Sequence, residues 1–216
     1  MADEAETTPP GGRLPRGRHG LRREEVQRSQ RERILWATAE AMCDLGYVDT
    51  SVAQIIKRAG VSRETFYEQF DGKLDCFLAA FDAAVGILMG RLDQAVGPQP
   101  GAPRRGQYDM VRTAVSTYLD TLAANPGPAR LFLVEVYAAG LPAMRRRAEV
   151  QALIATRLAE LLGVGDDLRF TLDVVVAGIG ALVAVPLVEG DLDRLRSLSA
   201  PIEDLIGRSL LRPIRS

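Results

Sequence analysis

The run Thr50–Lys73 reads TSVAQIIKRAGVSRETFYEQFDGK, and it decides how this 216-residue chain is organised. Val52, Ile55, Ile56 and Ala59 recur at i, i+3, i+4 and i+7, the apolar stripe of an amphipathic helix, with a hydroxyl at Thr50 or Ser51 to cap its start. Gly60 supplies a turn, and Val61 and Ser62 lead into a second short helix. Its Phe66 and Phe70, four apart, point at whatever packs beneath, which leaves Glu64 and Glu68 on the far side with Arg63 and Tyr67 flanking the stripe. Two short helices joined by a glycine turn, the second with a polar and aromatic outer face, form a helix-turn-helix that can enter a DNA major groove.

Upstream, a helix is readable from about Glu25 to Leu45, with Ile34, Leu35, Thr38, Ala41, Met42 and Leu45 on one face and Gly46 closing it as a C′ glycine. Residues 1–24 are expected to be a disordered basic arm, because Met1–Gly20 is rich in Pro, Gly and charge without periodicity. The formal net charge of −1 hides this: between Arg13 and Arg33 there are eight Arg against three Glu. Such an arm either solubilises the chain or follows DNA phosphates beside the helix-turn-helix.

Downstream the pattern stays helical. A fourth helix is expected over Lys73–Val96, then a loop at Gly97–Gly106, then helices over about Gln107–Ala124, Gly127–Ala139 and Pro142–Leu162. Asp166 or Asp167 is expected to cap a helix reaching Leu187. An amphipathic turn through Leu192, Leu195 and Leu198 precedes a last helix over Ile202–Leu211. The fold class is therefore all-α: a DNA-binding domain over residues 25–82 and a helical domain over 83–216, joined within the fourth helix rather than by a linker.

Cys43 and Cys76 sit in apolar patterns and read as buried thiols, and with one His in the chain no His/Cys metal cluster is expected. His19 lies in the arm, and no phosphate loop or nucleophile motif appears, so no catalytic residue, metal or cofactor is expected. The longest apolar run, Val174–Val188, is 15 residues and reads as a core helix rather than a span. With no signal-like N-terminus, a soluble cytoplasmic protein without a membrane partner is expected.

The run RILWATAEAMCDLGYVDTSVAQIIKRAGVSRETFYEQFDGKLDCFLAAFD, over about Arg31–Asp82, resembles the N-terminal DNA-binding domain of TetR-type transcriptional regulators. The shared features are Gly-Tyr, Thr-Ser-Val, Ala-Gly-Val-Ser, Thr-Phe-Tyr-x-x-Phe and a closing Lys. The resemblance implies that Thr50 and Ser51 touch a phosphate at a helix N-terminus. It implies that Ser62, Thr65, Tyr67, Gln69 and Lys73 also contact DNA, largely on the backbone, and that Arg63 and Glu64 stand at base-reading positions. Arg63 suits guanine O6 and N7, and Glu64 suits cytosine N4. Gln69 replaces the usual His of this pattern, and Glu68 takes a place that is often aromatic; it reads as a solvated or intramolecularly paired carboxylate.

For the second half, the resemblance implies a homodimer through the last two long helices, and hence a pseudo-palindromic operator in double-stranded DNA. Gly178, Ile179, Gly180, Ala181, Leu182, Val183 and Ala184, with Ile202, Leu205, Ile206 and Leu210, are the expected interface stripes. An unknown small-molecule effector is expected in a cavity lined by Tyr108, Tyr118, Phe132, Tyr137 and Phe170, with Met110, Glu135 and Asp173 as further candidates. In the family, tilting of the fourth helix carries the ligand signal. The expected function is a ligand-released repressor. A transcriptional activator of the same fold, or a helical interaction module without specific DNA binding, is the alternative.

Overall fold

The computed structural model describes residues 23–97 and 106–211, and among these every regular element is helical. The basic stretch Arg13–Arg22, most of the loop after Val96 and the C-terminal end lie outside the described residues. In order, the helices are α1 (Arg23–Asp49), α2 (Val52–Ala59), α3 (Arg63–Tyr67), α4 (Lys73–Val96), α5 (Gln107–Ala124) and α6 (Pro126–Arg130). A π-helical turn, Leu131–Glu135, then leads into α7 (Val136–Ala138), α8 (Leu141–Leu162), α9 (Arg169–Glu189), α10 (Leu192–Ser197) and α11 (Ser199–Ile206). A second π turn, Gly207–Leu211, closes the described chain.

Local chemistry sets the first boundaries. Gly46 takes φ 79° and breaks α1 after Leu45, and Gly60 takes φ 63° at the end of α2; both values suit a residue without a Cβ. Ser51 and Gln54 form a reciprocal capping box at the start of α2, so Ser51 rather than Thr50 is the cap. Ser62 caps α3 through Thr65 N–H. Ile34, Met42, Ile55, Phe66, Phe70 and Phe77 bury their side chains between these helices, as the periodicity requires; Leu45 departs from its expected face and is exposed.

The later boundaries depart more. The helix expected over Gly127–Ala139 is split by the π turn, which widens one turn and rotates the residues after it about the helix axis. Neither Asp166 nor Asp167 caps α9 with its side chain; a short 3-10 turn, Asp166–Leu168, intervenes. Segment Asp166–Glu189 is 24 residues long and holds an 18-residue window of mean hydropathy 2.2, enough by length and composition alone to cross a membrane; the 15-residue run Val174–Val188 lies inside it. Helix α9 packs one face on α8 and α6 through Leu172, Val176, Val183 and Leu187. Its other face carries Phe170, Val174, Leu182, Val185 and Val188 outward, with Phe170 79% exposed.

Helix α4 runs unbroken from the first three helices into the rest and packs on α1, α5 and α8. Two ion pairs, Asp82–Arg146 at 2.7 Å and Asp93–Arg157 at 2.8 Å, fasten α4 to α8. Both join residues 64 apart in sequence, so the two helices run parallel at a fixed register. Gly127 brings α6 against the backbone of α1 at Ala39, where a Cβ would stand 3.5 Å from the Ala39 carbonyl oxygen.

Candidate DNA-reading face and cavity

Helix α3 presents Arg63, Glu64, Tyr67 and Glu68 to solvent, while Phe66 beneath them is fully buried. The Arg63 guanidinium lies 5.4 Å from the Tyr67 ring centroid, a contact that holds the base-reading candidate beside the helix. Glu68 is exposed and has no ion-pair partner among the described residues. Ser62 and Thr65 share a hydrogen bond at 2.9 Å across the first turn, and both hydroxyls lie at the surface of the helix start.

Other expected contacts sit differently. Thr50 is 1% exposed, and its hydroxyl donates to the carbonyl oxygens of Gly46 at 2.7 Å and Ala41 at 3.3 Å. It therefore ties the end of α1 and is turned away from any phosphate, which corrects the resemblance at this position. Ser51 is exposed, with its hydroxyl engaged by Gln54 at 2.8 Å. Gln69 buries both polar atoms of its amide without a partner, while its backbone carbonyl accepts from Arg31 at 3.3 Å. As placed, that amide is not offered to DNA.

Lys73 bridges rather than dangles. Its ammonium donates to the carbonyl oxygens of Tyr47 at 2.8 Å and Val48 at 3.3 Å, and lies 4.3 Å from the Tyr47 ring centroid. The same Tyr47 gives its N–H to Glu135 Oε2 at 2.7 Å, from the π turn of the second half. Glu135 is only 7% exposed, with Arg130 3.8 Å away as its cation. Glu135 thus faces the helix-turn-helix and not a cavity. Tyr47 is held by a lysine from α4 on one side and by a carboxylate from the second half on the other.

A cavity lies among α4, α5, α8, α9 and the π turn, with room of about 120 Å³ for the centres of water-sized molecules. Its walls are aliphatic apart from Tyr118, Phe132, Arg147 and Gln151. Two of the expected lining residues, Tyr118 and Phe132, are there. Tyr108, Tyr137 and Phe170 are not: all three are exposed, Tyr108 lying over Gly207, Tyr137 over Arg147, and Phe170 on the outer side of α9. Met110 lies outside the cavity wall, and Asp173 is exposed beside Arg169 at 3.5 Å.

The residues that sequence reading missed are Arg147 and Gln151, one helical turn apart on α8. Their signal was present: Ala143, Arg147, Val150 and Ile154 keep the three and four spacing of the inward stripe. Burial raises the Tyr118 phenol above its ordinary range, and the Arg147 charge pulls it part of the way back. The cavity also touches the head through rings. Phe132 lies 5.2 Å from Phe81, Phe81 6.4 Å from Phe77, and Phe77 packs edge-on to Tyr47 at 5.3 Å, so aromatic contacts run from the cavity wall to the residue that Lys73 holds.

Residues 34–80 match the family model described as bacterial regulatory proteins, tetR family. Over this stretch the chain is similar to the N-terminal domain of that family. It is 30% identical over 125 residues to the HTH-type transcriptional regulator EthR of Mycolicibacterium smegmatis, 57% of this chain and 54% of that protein. It is 30% identical over 127 residues to the HTH-type transcriptional activator FasR of the same organism, 59% of this chain and 51% of that one. The chain thus spans about half the length of these two curated relatives. Among solved structures, the fatty acid degradation regulator FadR from Bacillus halodurans superposes with a TM-score of 0.69 at 20% identity, covering 81% of this chain and 96% of that one. FadR from Bacillus subtilis, solved in complex with stearoyl-CoA, gives 0.65 at 19% identity, covering 82% and 98%. These two likenesses show that the fold shared with those two structures extends through the second half of the chain.

Proposed function

We propose that the chain is a ligand-responsive transcriptional regulator, a cytoplasmic repressor rather than an enzyme. It binds a pseudo-palindromic operator in double-stranded DNA as a homodimer and is released by a small molecule. The observation that carries this reading is the TetR-family match over residues 34–80, laid on an α3 whose exposed side offers Arg63, Glu64 and Tyr67 over a buried Phe66. In this reading residues 25–82 form the DNA-reading domain and 83–216 the effector and dimer domain. Arg63 and Glu64 read bases; Ser62, Thr65, Tyr67 and Ser51 face the DNA backbone, and Lys73 shares its charge between Tyr47 and a phosphate.

The homodimer is supported by the outward stripe of α9, where Phe170, Val174, Leu182, Val185 and Val188 recur at helical spacing, with Leu205 of α11 also exposed. Gly180, Val183, Ile202, Ile206 and Leu210, expected at that interface, are buried within the chain instead, so Gly178, Ala181 and Leu182 are the part of the expected α9 stripe that remains available. The effector acts from the cavity as a population shift: it favours a form in which the two reading heads no longer match successive major grooves. Two contiguous routes support such coupling, the aromatic contacts from Phe132 to Tyr47 and the Glu135 hydrogen bond to Tyr47 N–H.

The test is a mobility shift of an operator fragment selected from random DNA, repeated across salt. Specific binding that weakens steeply as salt rises is the expected result, and no sequence preference at any salt would end the proposal. Activation is the second reading, favoured by the 30% identity to the activator FasR. Transcription from the bound promoter, which falls for a repressor and rises for an activator, separates the two.

A further inference from the structure

Arg147 is 6% exposed, and its guanidinium meets only neutral groups. Nη1 donates to the Phe132 carbonyl oxygen at 2.9 Å and reaches Leu133 O at 3.5 Å, while the rings of Phe132 and Tyr137 lie 5.6 and 5.2 Å from its central carbon. Among the described residues no carboxylate stands within ion-pair distance of it. Its neighbours on the same helix differ: Arg146 pairs with Asp82 and Glu149, and Arg157 with Asp93. A guanidinium cannot shed its proton to escape a poorly solvated site, so its burial is favourable only where something balances the charge.

The surroundings are shaped for that group. A Cβ on Gly180 would stand 3.2 Å from Nη2, so the glycine leaves the space the guanidinium fills. Gln151, one turn further along α8, and Tyr118 from α5 both line the cavity, and neither side chain has a hydrogen-bond partner among the described residues. One end of the cavity therefore combines an uncompensated cation, an amide and a phenol, with no acidic group in its wall. The rest is apolar: Ile154 and Leu158 continue the α8 stripe opposite Leu88 and Leu92 of α4. From Arg147 to Leu158 the helix rises ~16 Å.

Resting on the reading of this cavity as the effector site, we propose that the effector is a monocarboxylate with an apolar body. Its carboxylate lies on the Arg147 fork, within reach of Gln151 and Tyr118, and its tail runs along α8 towards Leu158. The planar two-oxygen group matches the guanidinium donors and supplies the missing countercharge. A thioester or ester of the same chain brings no charge to that point.

Isothermal titration of the full-length protein with decanoate, decanol and decanoyl-CoA near neutral pH tests this, with operator release measured on the same samples. Decanoate is expected to bind about 10- to 100-fold tighter than decanol, and Arg147→Met to bring the two within a few-fold of each other. Arg147→Lys should retain part of the preference, and Leu158→Trp should weaken both ligands alike. Equal binding of acid and alcohol by the unaltered protein, binding of decanoyl-CoA alone, binding of none of the three, or an acid preference that survives Arg147→Met would each overturn the proposal. Should Arg147→Met fail to fold by circular dichroism, the acid-to-alcohol ratio of the unaltered protein decides. Release of the operator by a neutral ligand would leave the regulator reading intact and remove this one, whereas loss of sequence-specific DNA binding would strike the regulator reading itself.

Discussion

In the helix-turn-helix head, Arg31, Arg33 and Lys73 place their charges on backbone carbonyls, and Arg58 pairs with Asp44 at 2.7 Å. In the second half, Arg147 also rests on a carbonyl, but with the cavity instead of solvent around it. The first arrangement is finished: each of these cations has a protein partner within the head. The second is unfinished, because a charge in an apolar chamber leaves part of its interaction energy to be supplied by whatever enters. The difference separates a surface meant to be rigid from a chamber whose energy depends on its contents.

The rigidity of the head can be attacked at its centre. Phe66→Ala should cost about 3 to 5 kcal/mol in denaturant unfolding and abolish operator binding, because Phe66 is fully buried between Phe70 and the first two helices. If binding survives with near-normal stability, the head is not held by that packing. Replacing Glu135 by Ala should cost roughly 2 kcal/mol by removing the acceptor of the Tyr47 N–H, and should separate ligand binding from DNA release. Unchanged release by ligand would remove this contact from the coupling route.

A change at the reading positions should leave folding intact. Arg63→Ala should relax preference at one base pair per half-site at a cost of about 1 to 3 kcal/mol, seen in a selection from random DNA. Tyr67→Phe should weaken binding across all sequences alike. The smallest effect concerns pH. Burial pushes the Cys76 thiol up to about 11 from an ordinary 9.0, against a partial lowering by its hydrogen bond with Thr38 at 3.1 Å. Between those values the unfolded chain loses this proton while the folded chain keeps it, so stability falls as pH rises through the window. Cys76→Ser should flatten that fall in chemical unfolding measured on either side of it.

How much of this was legible depended on whether the deciding interaction was local. The capping box Ser51–Gln54, the Ser62 cap and the Gly46 and Gly60 turns lie within four residues of their partners, and the head could be read from them. Thr50 was misread although its nearer partner, the Gly46 carbonyl, is only four residues away, because a hydroxyl at a helix start has two directions available. Tyr137 was misplaced because the π turn before it changes the rotation of the chain, which a 3.6-residue period does not register. In the run Arg145-Arg146-Arg147 the three residues look alike in composition; only the orientation of α8, at about 100° per residue, makes Arg146 a surface partner of Asp82 and Arg147 a buried one. Cys43 shows the same limit: it is half-buried rather than fully enclosed like Cys76.

The two ion pairs between α4 and α8 have a mechanical meaning. Since Asp82–Arg146 and Asp93–Arg157 share one register, a slide of α4 along α8 by a single residue would stretch both by ~1.5 Å together, while a tilt about one pair strains only the other. Both pairs are about half-exposed and worth at most ~1 kcal/mol each, so they mark the register of the two helices and favour a tilt over a slide only slightly. The nine residues from Asp82 back to Lys73 extend ~14 Å beyond the last ion pair to α8 and are packed on α1, so a tilt begun beside Leu88 in the cavity wall reaches both α1 and the lysine that grips Tyr47.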